Sequence, residues 1–146
     1  MSLQLSTVVP LVGANFAFLT LGSIASEQTK QYRVHDLVDR VFTFSNSILA
    51  GCTALAVIGS GPVGYAVFGA FATAGVITLG KVYEGDNQFL NTWRDYAKDY
   101  EKNIGVVSSI VNLCGGVHSL IALPFRYMNL AGTLSAAISV YIYSDL

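Results

Sequence analysis

The sequence predicts an all-α, multi-pass transmembrane helical bundle with an interfacial amphipathic helix, and three observations carry that prediction. The 146 residues are 53% hydrophobic and only 12% charged, about half the charged share of an ordinary soluble domain, and mean hydropathy is +0.54. The charges are confined to two stretches, 27–40 and 81–102, with only Arg126 and Asp145 outside them. What remains is a set of uncharged runs at 1–26, 41–80, 103–125 and 127–144. A helix crossing the hydrocarbon layer needs roughly 20 mostly apolar residues, so three of the runs suit one span and 41–80 suits two.

The chain then reads as one membrane domain with spans near 8–26, 41–60, 63–80, 104–124 and 127–143. The first run carries Ser23-Ile24-Ala25, which resembles a cleavage site, but no basic residue precedes the apolar stretch. A secretory signal peptide needs that basic flank, so this run is expected to remain as a span. In 31–42, Val34, Leu37, Val38 and Val41 make a helical stripe that extends the second span, with Asp36 and Arg40 at i,i+4.

Spans two and three meet at Gly59-Ser60-Gly61-Pro62. Gly permits turn dihedrals and Pro presets the first turn of a helix. The same residues contain Gly59-x-Gly61-x-x-Gly64, and Leu55-Ala56-Val57-Ile58 before them resembles the first strand of a dinucleotide-binding βαβ unit. Glu84, 20 residues past Gly64, stands where such a unit holds a ribose. A doubly wound domain needs further strand–helix alternations, and the flanking uncharged runs are too long for strands. The hairpin reading is therefore preferred, and a dinucleotide-binding enzyme ranks last among the alternatives.

Residues 87–102 predict the interfacial helix. Phe89, Trp93, Tyr96 and Tyr100 recur at helical spacing opposite Asn91, Arg94, Asp95, Lys98, Asp99 and Lys102, the pattern of a helix at a membrane surface. The four aromatics are candidate docking residues. The last run follows Pro124-Phe125-Arg126 and is the shortest. If it is re-entrant or interfacial, the spans number four.

Threading five spans puts both charged stretches on one side. That side collects Lys30, Arg33, Arg40, Lys81, Arg94, Lys98 and Lys102, seven of the eight basic residues, the asymmetry that the positive-inside rule requires. The N-terminus is then outside and the C-terminus on the cytosolic, matrix or stromal side. An organellar inner membrane is favoured over the plasma membrane or the endoplasmic reticulum.

No Asp, Glu, Lys or Arg falls inside any of these spans. Proton relays, ion pathways and voltage sensors depend on such groups, so catalysis and gated transport are not expected. Small-residue ribbons are candidates for helix packing: Ala66, Ala70 and Ala74; Ser108, Asn112 and Gly116; Ala131, Ser135 and Ser139. Asn15, Asn46, Thr53 and Asn112 can tie helices together. His118 is the one candidate cofactor ligand, for haem or chlorophyll, beside Gly115-Gly116. His35 lies in the first charged stretch, and His118 sits 14 residues into a span that starts from that same side, about 21 Å of rise away, so the two cannot share one metal within a chain. Ser119 has no acidic partner for a hydrolytic triad. Cys52 and Cys114 form no CxxC and suggest neither a disulfide nor a zinc site.

The expected function is a non-catalytic accessory membrane subunit of a larger complex. Its expected partners are other membrane subunits and lipid; nucleic acid and soluble substrates are not expected, and no cofactor is indicated. The alternatives are a small homo-oligomeric channel or carrier with Asn15, Asn112 and His118 on a polar path, and a haem- or pigment-binding subunit using His118.

Overall fold

A computed structural model describes residues 4–30, 32–80 and 85–145 of the chain. Five helices follow one another: α1 (Leu5–Thr29), α2 (Tyr32–Ile58), α3 (Pro62–Leu79), α4 (Gln88–Ala122) and α5 (Tyr127–Ser144). Among the described residues there is no strand. The all-helical bundle is as expected, and four of its helices, α1 to α4, are long and apolar enough to cross a membrane. The helix α5 is not among them.

The breaks have local causes. Lys30 closes α1 in the left-handed region (φ 57°), donating its backbone N–H to Glu27 and Ser26. The α2–α3 turn uses two of its glycines for different reasons. Gly59 sits at φ +104°, where a side chain is strained. A Cβ on Gly64 would run into the Gly59 carbonyl oxygen. Pro62 then starts α3 at its first turn. Residues 55–58, the strand of the dinucleotide alternative, are the last turn of α2; the helical backbone there rules that strand out. Glu84, its ribose-binding residue, lies outside the described residues. At the other end of the chain, Pro124 forces Leu123 into extended backbone (φ −116°, ψ 160°), because a residue before proline disfavours the helical region. That ends α4.

One expectation is corrected. Residues 87–102 do not form a separate helix lying beside the bundle. Asn87 caps the N-terminus of α4, its side chain accepting the Leu90 N–H at 3.2 Å, and the helix runs unbroken to Ala122. At 1.5 Å per residue, 35 residues reach roughly 52 Å, some 20 Å more than a hydrocarbon layer. No Pro interrupts 88–122, so nothing in the backbone makes the corner that an in-plane helix needs.

Helices α1, α2, α4 and α5 close a ring in that order, and α3 packs outside it in the angle between α2 and α4. Connectivity makes α2 and α4 a parallel pair and α1 and α5 a second one. The described parts of the two charged stretches and the end of α5 gather at one end of the bundle, joined there by Arg40 of α2 with Glu101 of α4 and by Trp93 of α4 with Ile77 of α3.

The interior inverts the distribution of a water-soluble bundle. Among the described residues, fifteen buried side chains are polar or charged and twelve are apolar, and several of the twelve are alanines. Large apolar side chains instead face outward, among them Leu11, Phe18 and Leu21 of α1, Val107, Ile110 and Ile121 of α4, and Leu134 and Ile138 of α5. The core is small and polar.

Candidate functional site

The densest polar chemistry lies along the seam between α2 and α4. Being parallel, the two helices keep the same levels together over about three turns, from Arg40–Glu101 to Thr53–Asn112. Asn46 donates to the Ser109 hydroxyl at 2.9 Å. Asn112 donates its amide to the Asn46 side-chain oxygen at 2.9 Å and to the Asn46 carbonyl at 3.2 Å. Its own oxygen accepts from Thr53 at 3.0 Å. All four residues are buried, so each group is satisfied by another and none is left facing outward. This is what a low-dielectric interior demands of a polar cluster.

At the charged end the seam closes on an ion pair. Arg40 donates to Glu101, and the two side chains are only 13% and 11% exposed. Beside it, the Tyr143 hydroxyl of α5 donates to Thr43 at 2.8 Å, and the Tyr143 ring stacks on Phe42 with centroids 6.1 Å apart. These groups, with Leu19 of α1 and Asp39, line a cavity of about 140 Å³. Asp39 lies outside the apolar stretch that begins at 41. Burial raises its carboxyl above the usual range, against the lowering effect of His35 and Arg40.

This pair was not anticipated. Sequence spacing sets Arg40 with Asp36 along one helix, yet it crosses to Glu101. The signal was present: Arg40 and Glu101 each precede an uncharged run by one to three residues, at the same end of parallel helices.

The predicted packing residues divide. Ser108, Asn112 and Gly116 are buried on α4, and a Cβ on Gly116 would run into the Thr133 hydroxyl. Ser135 and Ser139 are buried on α5, with hydroxyls donated to Ala131 and Ser135 of their own helix. Ala131 itself is exposed. On α3, Ala66 and Ala70 are exposed and Ala74 is half-buried. The face of α3 that packs on α2 is instead Gly64, Phe68, Phe71, Gly75 and Thr78. Of the four aromatics, Trp93 is half-buried and donates its ring N–H to Ile77 at 3.0 Å. Phe89 is 78% exposed, and Tyr96 and Tyr100 lie together on the outside with centroids 4.5 Å apart.

The three residues of the polar-path alternative are not brought together. Asn15 donates to the Phe42 carbonyl at 3.4 Å between α1 and α2. Asn112 is enclosed in the seam. His118 is exposed, in an apolar groove of about 380 Å³ between α2 and α4 that also holds Cys114, Val57 and Ile110. Among the described residues no cluster of three or more His, Cys, Asp or Glu side chains could hold a metal. Compared with protein-family models, with curated proteins and with solved structures, the chain matches none of them.

Proposed function

We propose that this chain is a multi-pass integral membrane protein that serves as a non-catalytic subunit of a larger membrane assembly, its work being to hold and present helix faces. The observation that carries the reading is the inversion of polarity: buried Asn, Ser and Thr side chains bond each other, and the bulky apolar side chains point out. Burying polar groups while exposing apolar ones is unfavourable in water. It is natural in lipid, where helices associate through small residues and hydrogen bonds because the hydrophobic effect no longer discriminates.

Exposed aromatics add a second support. Tyr96, Tyr100 and Tyr141 mark one end of the bundle, and Tyr65, Phe125 and Tyr127 mark the other. Tyr100 and the end of α4 at Ala122 are separated by about 33 Å of helix rise, close to the thickness of a hydrocarbon layer with its aromatic belts. On this reading α5 is the fifth crossing helix, with Asn129, Ser135 and Ser139 shielded against α1 and α4, and about the first three turns of α4 stand beyond the bilayer. Polar groups that satisfy one another suit a scaffold, since a conducting path needs such groups turned toward water.

Membrane fractionation and mild-detergent purification test the proposal. The chain is expected in the membrane fraction and to migrate, after extraction, well above its 15.6 kDa mass together with other protein. Reconstituted in liposomes, it is expected to give ion and solute flux no higher than empty vesicles. A chain that stays in solution without detergent, or that conducts when pure, overturns it.

A further inference from the structure

Cys114 and His118 stand one turn apart on α4, and both are exposed. They line the apolar groove of about 380 Å³ between α2 and α4. Of the residues that wall it, only Thr53, Cys114 and His118 carry side-chain heteroatoms. The Thr53 hydroxyl is donated to Asn112, and its methyl group faces Gly115. A thiol and an imidazole are therefore what the groove offers to a ligand. Cys114 is a free thiol, and among the described residues no hydrogen bond or ion pair reaches His118. From the end of α4 at Ala122, His118 lies about 6 Å and Cys114 about 12 Å along the helix, which on the membrane reading is hydrocarbon depth. An ionisable side chain at that depth almost always turns inward or pairs with a partner. His118 is turned outward and unpaired.

We propose that Cys114 and His118 together hold one Cu(I) ion at this groove. Positions i and i+4 on a helix set their Cβ atoms about 5–6 Å apart, a distance that one ion bonded to both side chains can span. Thiolate is the soft donor that selects Cu(I), and imidazole suits copper as well. Cu(I) is also satisfied with as few as two ligands. Ions that need a larger set of protein donors are not served here, because among the described residues no third His, Cys, Asp or Glu joins the pair. Charge selects in the same direction. One thiolate, one neutral imidazole and one monovalent cation sum to zero, whereas a divalent ion leaves a net positive charge that is costly at membrane depth. Binding is a proton exchange without electron transfer. The Cys114 thiol gives its proton to water as the sulfur–copper bond forms, and His118 supplies a ring nitrogen lone pair from its neutral form. The inference relies on the membrane reading for the surroundings of the groove and adds a ligand that the subunit reading does not contain.

Full-length chain purified in mild detergent without oxygen tests this with Cu(I) itself, titrated against a chromophoric Cu(I) chelator. One ion per chain is expected, with one sulfur and one nitrogen neighbour in its X-ray absorption spectrum. Cys114→Ser and His118→Ala are each expected to weaken binding at least tenfold, and Cys52→Ala to leave it unchanged. Lowering the pH by one unit near neutrality is expected to weaken binding about tenfold, since one thiol proton is displaced per ion. Both substituted side chains are exposed, so the variants are expected to keep the helicity of the parent. If one does not, the neighbours seen around copper in the parent decide. Parent chain that binds no Cu(I), that binds it through sulfur alone, or that grips Zn(II) more tightly overturns the inference. So does either variant that binds as well as the parent. All of these results leave the subunit reading standing, which fractionation and flux decide separately.

Discussion

The two parallel helix pairs of this bundle are held by opposite means. Between α2 and α4 the contact is side chain to side chain: an ion pair, Arg40 with Glu101, followed by the hydrogen-bonded group Asn46, Thr53, Ser109 and Asn112. Between α1 and α5 it is backbone to backbone. A Cβ on Gly13 would stand 3.3 Å from the Gly132 nitrogen, and a Cβ on Gly132 would run into the Val9 carbonyl. Buried Val8, Val9 and Val12 fill what remains. Polar links fix register, because each donor meets its acceptors at one level. Close approach supplies van der Waals contact over a length of helix, and small residues permit it. A bundle with a small polar core uses both.

Substitutions on each side break or sharpen that contrast. The largest effect is expected at the ion pair. Glu101→Leu leaves the Arg40 guanidinium buried without its partner and is expected to destabilise the bundle by about 3–5 kcal/mol, read by reversible unfolding in detergent micelles. Adding Arg40→Met is expected to restore most of the loss, because the stranded charge, more than the missing attraction, is responsible. If the single variant is neutral, water reaches the pair.

On the other side, Gly132→Ala presses a methyl group into backbone and is expected to cost about 1–3 kcal/mol by overpacking. Gly69→Ala on the open face of α3 is expected to be neutral or to stabilise by up to about 1 kcal/mol through helix propensity. Equal effects at the two glycines would remove the claim that α1 and α5 touch through backbone. Next comes Asn112→Leu, expected to lose about 1–2 kcal/mol and to show coupling with Asn46→Leu in a double-mutant cycle. The smallest change is expected from Tyr143→Phe, which loses the bond to Thr43 but keeps the ring stack on Phe42, at about 0.6 kcal/mol.

Much of this architecture was legible from where charges stop and start. The helix ends at Gly59, Pro62, Asn87 and Pro124 follow from turn and cap chemistry acting within a few residues, and the gathering of both charged stretches at one end follows from counting crossings. Residues 87–102 read as a separate helix because an amphipathic stripe has the same period on a helix lying beside a bundle as on one end of a longer helix. The Asn46–Asn112 cluster was visible only as a list of polar residues, since pairing them needs the relative rotation of two helices. For the α3 ribbon the spacing of Ala66, Ala70 and Ala74 said that something could come close, and left open from which side.

The sequence alone determined that the chain is helical, where the turn at Gly59–Pro62 and the break at Pro124 fall, and which ends lie together, because length, charge and backbone chemistry are written along one dimension. Only the tertiary structure decided which way each helix is turned: Arg40 toward Glu101, Gly132 toward Val9, and the small face of α3 away from its own bundle. In water the inward face of a helix announces itself as the apolar one. On the membrane reading the surroundings are as apolar as the core, so periodicity no longer distinguishes in from out, and the rotation of each helix is set by contacts between residues far apart in the chain.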